Sequence, residues 1–266
     1  MGATVVGGVE RLVRRDRIVA AVALAGLTVL AWADLLRMRS SMTAGDMSAM
    51  GTSGMAMSSM SAWSALDVAL LFLMWVVMMT AMMLPSAAPM ILLVASINRR
   101  RRERASPAAP TAAFAAGYLI VWTGFSLVAA TAQWALHRGA LLTPEMASRS
   151  PLLGGTLLVV AGVYQWLPVK GTCLHHCRSP LRFLGESWRE GVAGAVAMGM
   201  RHGVYCLGCC WALMALLFVA GVMNLFWVAV IAALVLVERV TRAGPWIGRA
   251  AGVALVLAGG WMLTLG

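Results

Sequence analysis

Cys206-Leu-Gly-Cys209-Cys210 puts three thiols within one and a half helical turns, with His202 four residues before the first and Met214 four residues after the last. Thiolate, imidazole and thioether are ligands for soft and borderline cations. On a helix these five residues fall at offsets 0, 4, 7, 8 and 12, so the spacing predicts a single stripe. A second group, Cys173 and Cys177 with His175 and His176 between them, lies in a polar stretch flanked by Lys170 and Arg178. Nearby positive charge favours the thiolate that metal binding needs. Three alternatives compete: thiols that only pack as small apolar groups, a Cys206–Cys209 redox pair, and a metal site. The whole complement of five cysteines falls in these two groups, which favours the metal reading. The two groups are expected to converge on one site.

Sulfur recurs elsewhere as thioether. Residues 38–60 are almost wholly Met, Ser, Gly, Ala and Thr, and seven of them are methionine. So polar a segment has no packing use for methionine, and the spacing of Met47, Met50, Met55, Met57 and Met60 lets a loop wrap several sulfurs round one ion. Thioether selects copper(I) among the common metals, whereas zinc fits only the thiolate–imidazole set. In the next apolar run Met74, Met78 and Met82 recur every fourth residue, with Met79 and Met83 in a parallel row. Packing explains most of these; Met78 and Met82 are the candidates for passing a soft ion along the helix.

The elements that carry these residues are membrane elements. Of 266 residues, 61% are hydrophobic and 12% charged, a composition foreign to a water-exposed globule. Apolar runs at Ile18–Leu36, Leu66–Ile97, Thr111–Leu136, Pro151–Pro168, Gly203–Gly221, Val222–Val237 and Trp246–Leu265 predict an all-α, polytopic transmembrane bundle of six to seven spans. Pro85 and Pro89 are expected to kink or tilt the second run. Gly221-Val-Met-Asn224 is expected to make a tight turn. With the amino terminus in the cytoplasm, only Arg37, Arg39, Arg138 and Arg149 of the 21 basic residues fall outside, the bias that basic loops impose. The twin arginines 14 and 15 then precede an uncleaved first helix. The chain divides into a basic amino terminus and first helix (1–36), an external Met/Ser/Gly-rich loop (37–63) and a helical membrane domain (64–266). The expected location is a bacterial inner membrane, multi-pass.

The formal charge of +11 follows from topology and predicts no nucleic-acid partner. Paired carboxylates, a nucleophile–base arrangement and a cofactor fingerprint are all missing, which argues against an enzyme. No nucleotide-binding motif supplies energy for pumping. The expected partners are the bilayer, a soft metal ion and a membrane protein that receives or is assembled with it. Gln165 and Asn224 are expected to bridge helices, and Glu238 to sit solvated beside Arg239 at the inner surface.

Over roughly residues 63–240 the chain resembles a family of bacterial multi-span proteins described as predicted metal-binding integral membrane proteins. The resemblance rests on Trp75, Met78, Met79, Met82, Met83 and Pro85, on the Tyr164-to-Pro180 loop with Cys173 and Cys177, and on Gly203-x-Tyr205-Cys206-x-Gly208-Cys209-Cys210-Trp211. Gly221, Met223, Asn224 and Glu238 extend it. It implies a membrane helical fold and a metal held by the cysteines. The functional expectation is therefore copper(I) handling, as transporter or metallochaperone; a metalloenzyme assembly subunit and a thiol-redox membrane protein are the alternatives.

Overall fold

The computed structural model describes residues 21–37, 40, 65–101, 108–139, 150–222 and 224–265, and among them every regular element is helical. The helices are α1 (21–37), α2 (Ala65–Arg101), α3 (Ala108–Arg138), α4 (Pro151–Tyr164), α5 (Pro168–Arg178), α6 (Pro180–Ser187), α7 (Gly191–Ala215), α8 (Leu217–Ala220), α9 (Leu225–Val240) and α10 (Gly244–Leu265). Four stretches, Ala65–Asn98, Pro110–Arg138, Gly191–Ala220 and Gly244–Leu265, are long and apolar enough to cross a membrane. The α4–α5 pair, bent by 63°, makes a fifth if it counts as one broken span.

The differences from the sequence expectation have local causes. The run Pro151–Pro168 does not stay helical: α4 stops at Tyr164 after 14 residues, because Pro168 disfavours helical backbone at Leu167, which is extended at φ −70°, ψ 139°. At the other end Pro151 sits at the first helical position and Ser150 Oγ caps Leu153 N at 3.3 Å, a normal helix start. The fifth run begins earlier than hydropathy suggests, since α7 starts at Gly191, whose φ of 81° marks a turn that suits glycine. Val222–Val237 becomes the 16-residue α9, short against the ~20 residues a perpendicular span needs. Gly221, at φ 89°, makes the expected sharp turn into α9, closed by Asn224 N donating to Gly221 O at 3.0 Å. α2 runs helical through Pro85 and Pro89. Near those rings the Met83 carbonyl accepts from Ser86 Oγ at 2.8 Å and from Tyr118 Oη of α3 at 3.1 Å, the latter tying α3 to this part of α2.

Small residues set how closely the helices approach. A Cβ at Gly162 would lie 2.7 Å from the Gly252 carbonyl oxygen, and one at Gly259 would lie 2.7 Å from that of Gly155, so α4 and α10 meet backbone to backbone. α3 and α7 meet the same way, since a Cβ at Gly199 would run into the Phe114 carbonyl and one at Gly117 into that of Val196. The core between them is aromatic and sulfur-rich: Trp75, Met78, Met79, Met82, Met83, Phe114, Tyr118 and Trp122 of α2 and α3 are fully buried. Trp75 Nε1 donates to Gln133 Oε1 at 2.6 Å, the partner a buried indole requires. Outward faces are as apolar as the core, with Leu257 68% and Trp261 70% exposed on α10, a surface suited to lipid.

Candidate metal centre

α7 carries the stripe that its spacing implies: His202, Cys206, Cys209, Cys210 and Met214 are all buried. Gly208 lies between the thiols on the side of α5. A Cβ there would stand 2.7 Å from Cys173 Sγ, so the glycine makes room for that sulfur. The Tyr164 hydroxyl, from the end of α4, donates to the Gly208 carbonyl. One turn along α5, Cys177 is the next thiol on the same helix, partly buried like Cys173. Segments 173–177 and 206–210 thus meet, as their chemistry suggests, and all five cysteines are free thiols.

At the middle of the thiols sits an arginine. Arg239 of α9 is 7% exposed, and its Nη2 donates to Cys206 Sγ at 2.8 Å, Cys209 Sγ at 3.1 Å and the Cys206 carbonyl at 3.2 Å, with Cys210 Sγ at 3.7 Å. Nη1 donates to Ser86 Oγ of α2 at 2.8 Å. Cys210 Sγ also donates to the Cys206 carbonyl at 3.0 Å and lies 4.0 Å from Met83 Sδ. The Tyr118 hydroxyl is 3.0 Å from Cys206 Sγ. Cys206 and Cys209 are therefore the sulfurs that accept charge-assisted hydrogen bonds.

A buried ion pair stands alongside. Lys170 of α5 donates to Glu238 at 2.9 and 2.7 Å and to Gln165 Oε1, with both charged side chains under 5% exposed. The expectation that Glu238 is solvated is corrected. Gly248 faces the Glu238 carboxylate and Gly244 its backbone, so α10 packs over the pair and excludes water. Arg239 likewise does not point to the surface: the two adjacent charges of α9 both turn inward, to separate partners.

The remaining candidates are distributed differently. Met78 and Met82 are buried core residues; in this part of α2 it is Met83 whose sulfur reaches a thiol. His202 is enclosed by Phe114, Tyr118 and Phe183, with ring centroids 6.0, 5.7 and 5.4 Å away, and its Nδ1 is buried without a hydrogen-bond partner. His176 stacks on Tyr205, centroids 4.3 Å apart at 6°, and its Nδ1 lies 2.9 Å from the Thr172 carbonyl. His175 is exposed. Met47, Met50, Met55, Met57 and Met60 lie outside the described residues. Among the described residues no three His, Cys, Asp or Glu side chains are arranged as a ready-made metal cage; an arginine nitrogen stands where the sulfurs meet. The donor set nonetheless fits a soft cation: buried sulfurs predominate, and they already surround a positive charge. Arg239, Tyr118 and Ser86 enter the site without being picked out by motif, and Met83 enters it from the methionine row in place of Met78 and Met82. The available signal is the Glu238-Arg239 pair at the end of an apolar helix, where charge is costly unless partnered.

Fold and site define a helical protein with membrane-spanning dimensions, built round a sulfur cluster. Residues 72–262 match the copper chaperone family PpoB2, and the chain belongs to that family. Its role is copper-related, and the metal-related character implied by the resemblance takes that form. No curated protein and no solved structure matches the chain.

Proposed function

We propose that the chain is an integral membrane chaperone that holds copper(I) as cargo. The ligands are the thiols of Cys206, Cys209 and Cys210, with Cys177 closing the site from α5 and Met83 from α2. One observation carries the reading: the three buried thiols of α7 gather around a single cation, with Met83 of α2 beside Cys210 and the partly buried thiols of α5 packed against the same helix. Cys173, over Gly208, is partly exposed and lies at the rim, where an incoming or departing ion exchanges sulfurs. His202, His175 and His176 are secondary ligands in this scheme, available only after their rings turn from their aromatic contacts. Zinc is the competing ion for a thiolate–imidazole set, and thioether tips the choice to copper(I).

The membrane setting completes the reading. In a seven-span arrangement, α1, the broken α4–α5 pair and the short α9 cross or partly cross a bacterial inner membrane alongside the four long stretches, with the amino terminus cytoplasmic. The thiol cluster then lies toward the cytoplasmic side. The methionines from Met47 to Met60 capture copper on the outer side, and Met78 and Met82 line the way inward. The cargo passes to a membrane or soluble partner by sulfur-for-sulfur exchange, which needs no nucleotide.

The test is the copper content of detergent-purified wild type beside a Cys206→Ser/Cys209→Ser/Cys210→Ser variant, both loaded under reducing conditions and desalted. About one equivalent of thiol-dependent copper per chain is expected. Equal copper in the two proteins overturns the assignment.

A further inference from the structure

Arg239 is an unusual occupant for a thiol cluster. A guanidinium removed from water needs compensation, because an unpaired buried ion is strongly disfavoured. Its hydrogen-bond partners are a hydroxyl, a carbonyl and sulfurs, with no carboxylate among them; the adjacent Glu238 is paired instead with Lys170. The compensation therefore comes from the sulfurs, first Cys206 Sγ at 2.8 Å from Nη2 and then Cys209 Sγ at 3.1 Å, the latter also donating its own S–H to the Cys206 carbonyl at 3.1 Å. These are also the sulfurs that a soft metal requires.

The seat is one that the guanidinium can leave. Nε of Arg239 is buried without a hydrogen-bond partner, and such a donor forfeits its solvation. Arg239 is the penultimate residue of α9, and the next residue, Val240, is 62% exposed. A long, flexible stem allows the head to withdraw past the helix end. The negative end of the α9 dipole suits a cation there, as the Arg178 guanidinium on the adjoining Thr241 carbonyl at 2.6 Å shows. Withdrawal also breaks the Nη1–Ser86 bond, which ties α9 to α2 next to the prolines.

We propose that Arg239 is a built-in placeholder cation: its guanidinium fills the positive-charge position among Cys206, Cys209 and Cys210 until copper(I) takes it, and its departure unlatches α9 from α2. The exchange replaces one positive charge by one positive charge and forms copper–sulfur bonds where N–H···S hydrogen bonds break, with no electron transferred. A divalent ion in the same place is not a charge-for-charge replacement: holding the charge of the site constant then requires a further thiol proton to leave, so the placeholder is matched to copper(I). It also keeps the empty thiolates covered and makes α9 report whether cargo is present. This inference rests on the thiol-site reading above.

Copper(I) affinity is measured by chelator competition on the full-length protein in detergent, for wild type, Arg239→Gln, Arg239→Lys and the triple Cys→Ser variant. Hydrogen–deuterium exchange over residues 235–240 is followed with and without copper(I). A latch that keeps most molecules closed weakens apparent binding by the fraction left open, so Arg239→Gln is expected to bind about tenfold more tightly. Arg239→Lys, with a single ammonium unable to reach both sulfurs, is expected to fall between. Copper is expected to speed exchange over 235–240 in wild type and to leave Arg239→Gln unchanged. Wild-type copper binding that depends on the thiols, joined to equal or weaker binding by Arg239→Gln, overturns the placeholder while sparing the thiol site. Copper binding that ignores the Cys→Ser changes sinks the thiol site itself. Should Arg239→Gln fail to fold, the wild-type exchange measurement decides alone, and no copper-induced change over 235–240 rejects the placeholder.

Discussion

At the scale of single residues, neighbouring side chains of the same type have different work. Met78, Met82 and Met83 are equally buried, yet only Met83 among them is shown within 4.0 Å of a cysteine sulfur. Sequence spacing makes the sulfur-rich face of α2 legible but cannot say which sulfur reaches α7, because a turn of about 100° per residue leaves several of them near one face. Met83→Leu, similar in volume, is expected to weaken copper(I) binding about tenfold, or ~1.4 kcal/mol, while Met78→Leu and Met82→Leu leave it unaltered in the same chelator competition. The charged residues of α9 teach a related lesson. Sequence gives their sign but not their depth, so Glu238 and Arg239 read as surface groups although both are buried. Truncating one partner of a buried pair strands the other: Lys170→Met is expected to cost roughly 3–5 kcal/mol of stability, and Lys170→Met/Glu238→Met to recover most of it. Thermal unfolding in detergent checks both.

At the scale of elements, the α7 stripe is the part most fully written in the sequence, since a spacing of 0, 4, 7, 8 and 12 has one reading on a helix. Its meeting with α5 is also legible, through the paired cysteine groups and the glycine between them. Less legible are the ends of the apolar runs. No charge interrupts Gln165, Trp166 and Leu167, where the chain turns 63° ahead of Pro168; the restriction that the proline puts on Leu167 keeps the helix from running on. Arg201 and His202 interrupt the apolar average, and hide a helix that begins ten residues before them at Gly191. Close packing of α4 on α10 supports the bend, because α10 also covers the Lys170–Glu238 pair. A Cβ at Gly162 meets backbone, whereas one at Gly260 meets nothing within 4 Å. Gly162→Val is therefore expected to lower the melting temperature by several degrees, and Gly260→Val, on an open part of α10, to change it far less.

At the scale of the whole molecule, composition already dictates an all-helical chain with lipid-sized apolar segments, and the structure has four to five such segments among the described residues. The metal chemistry is legible in kind, because soft ligands are concentrated in few places. It is not legible in detail: the cluster draws on α2, α5, α7 and α9, and long-range packing alone decides that an arginine from the last of these enters it. The account's central claim is that sulfurs distant in sequence form one copper(I) site in the buried interior. Copper K-edge X-ray absorption on the copper-loaded full chain tests it most directly, with wild type measured beside the triple Cys→Ser and Met83→Leu variants. The account predicts a reduced, copper(I) edge and a first shell made of sulfur, which thins in Met83→Leu and is lost in the triple variant. A first shell dominated by nitrogen or oxygen, or a sulfur shell unchanged in the triple variant, contradicts it.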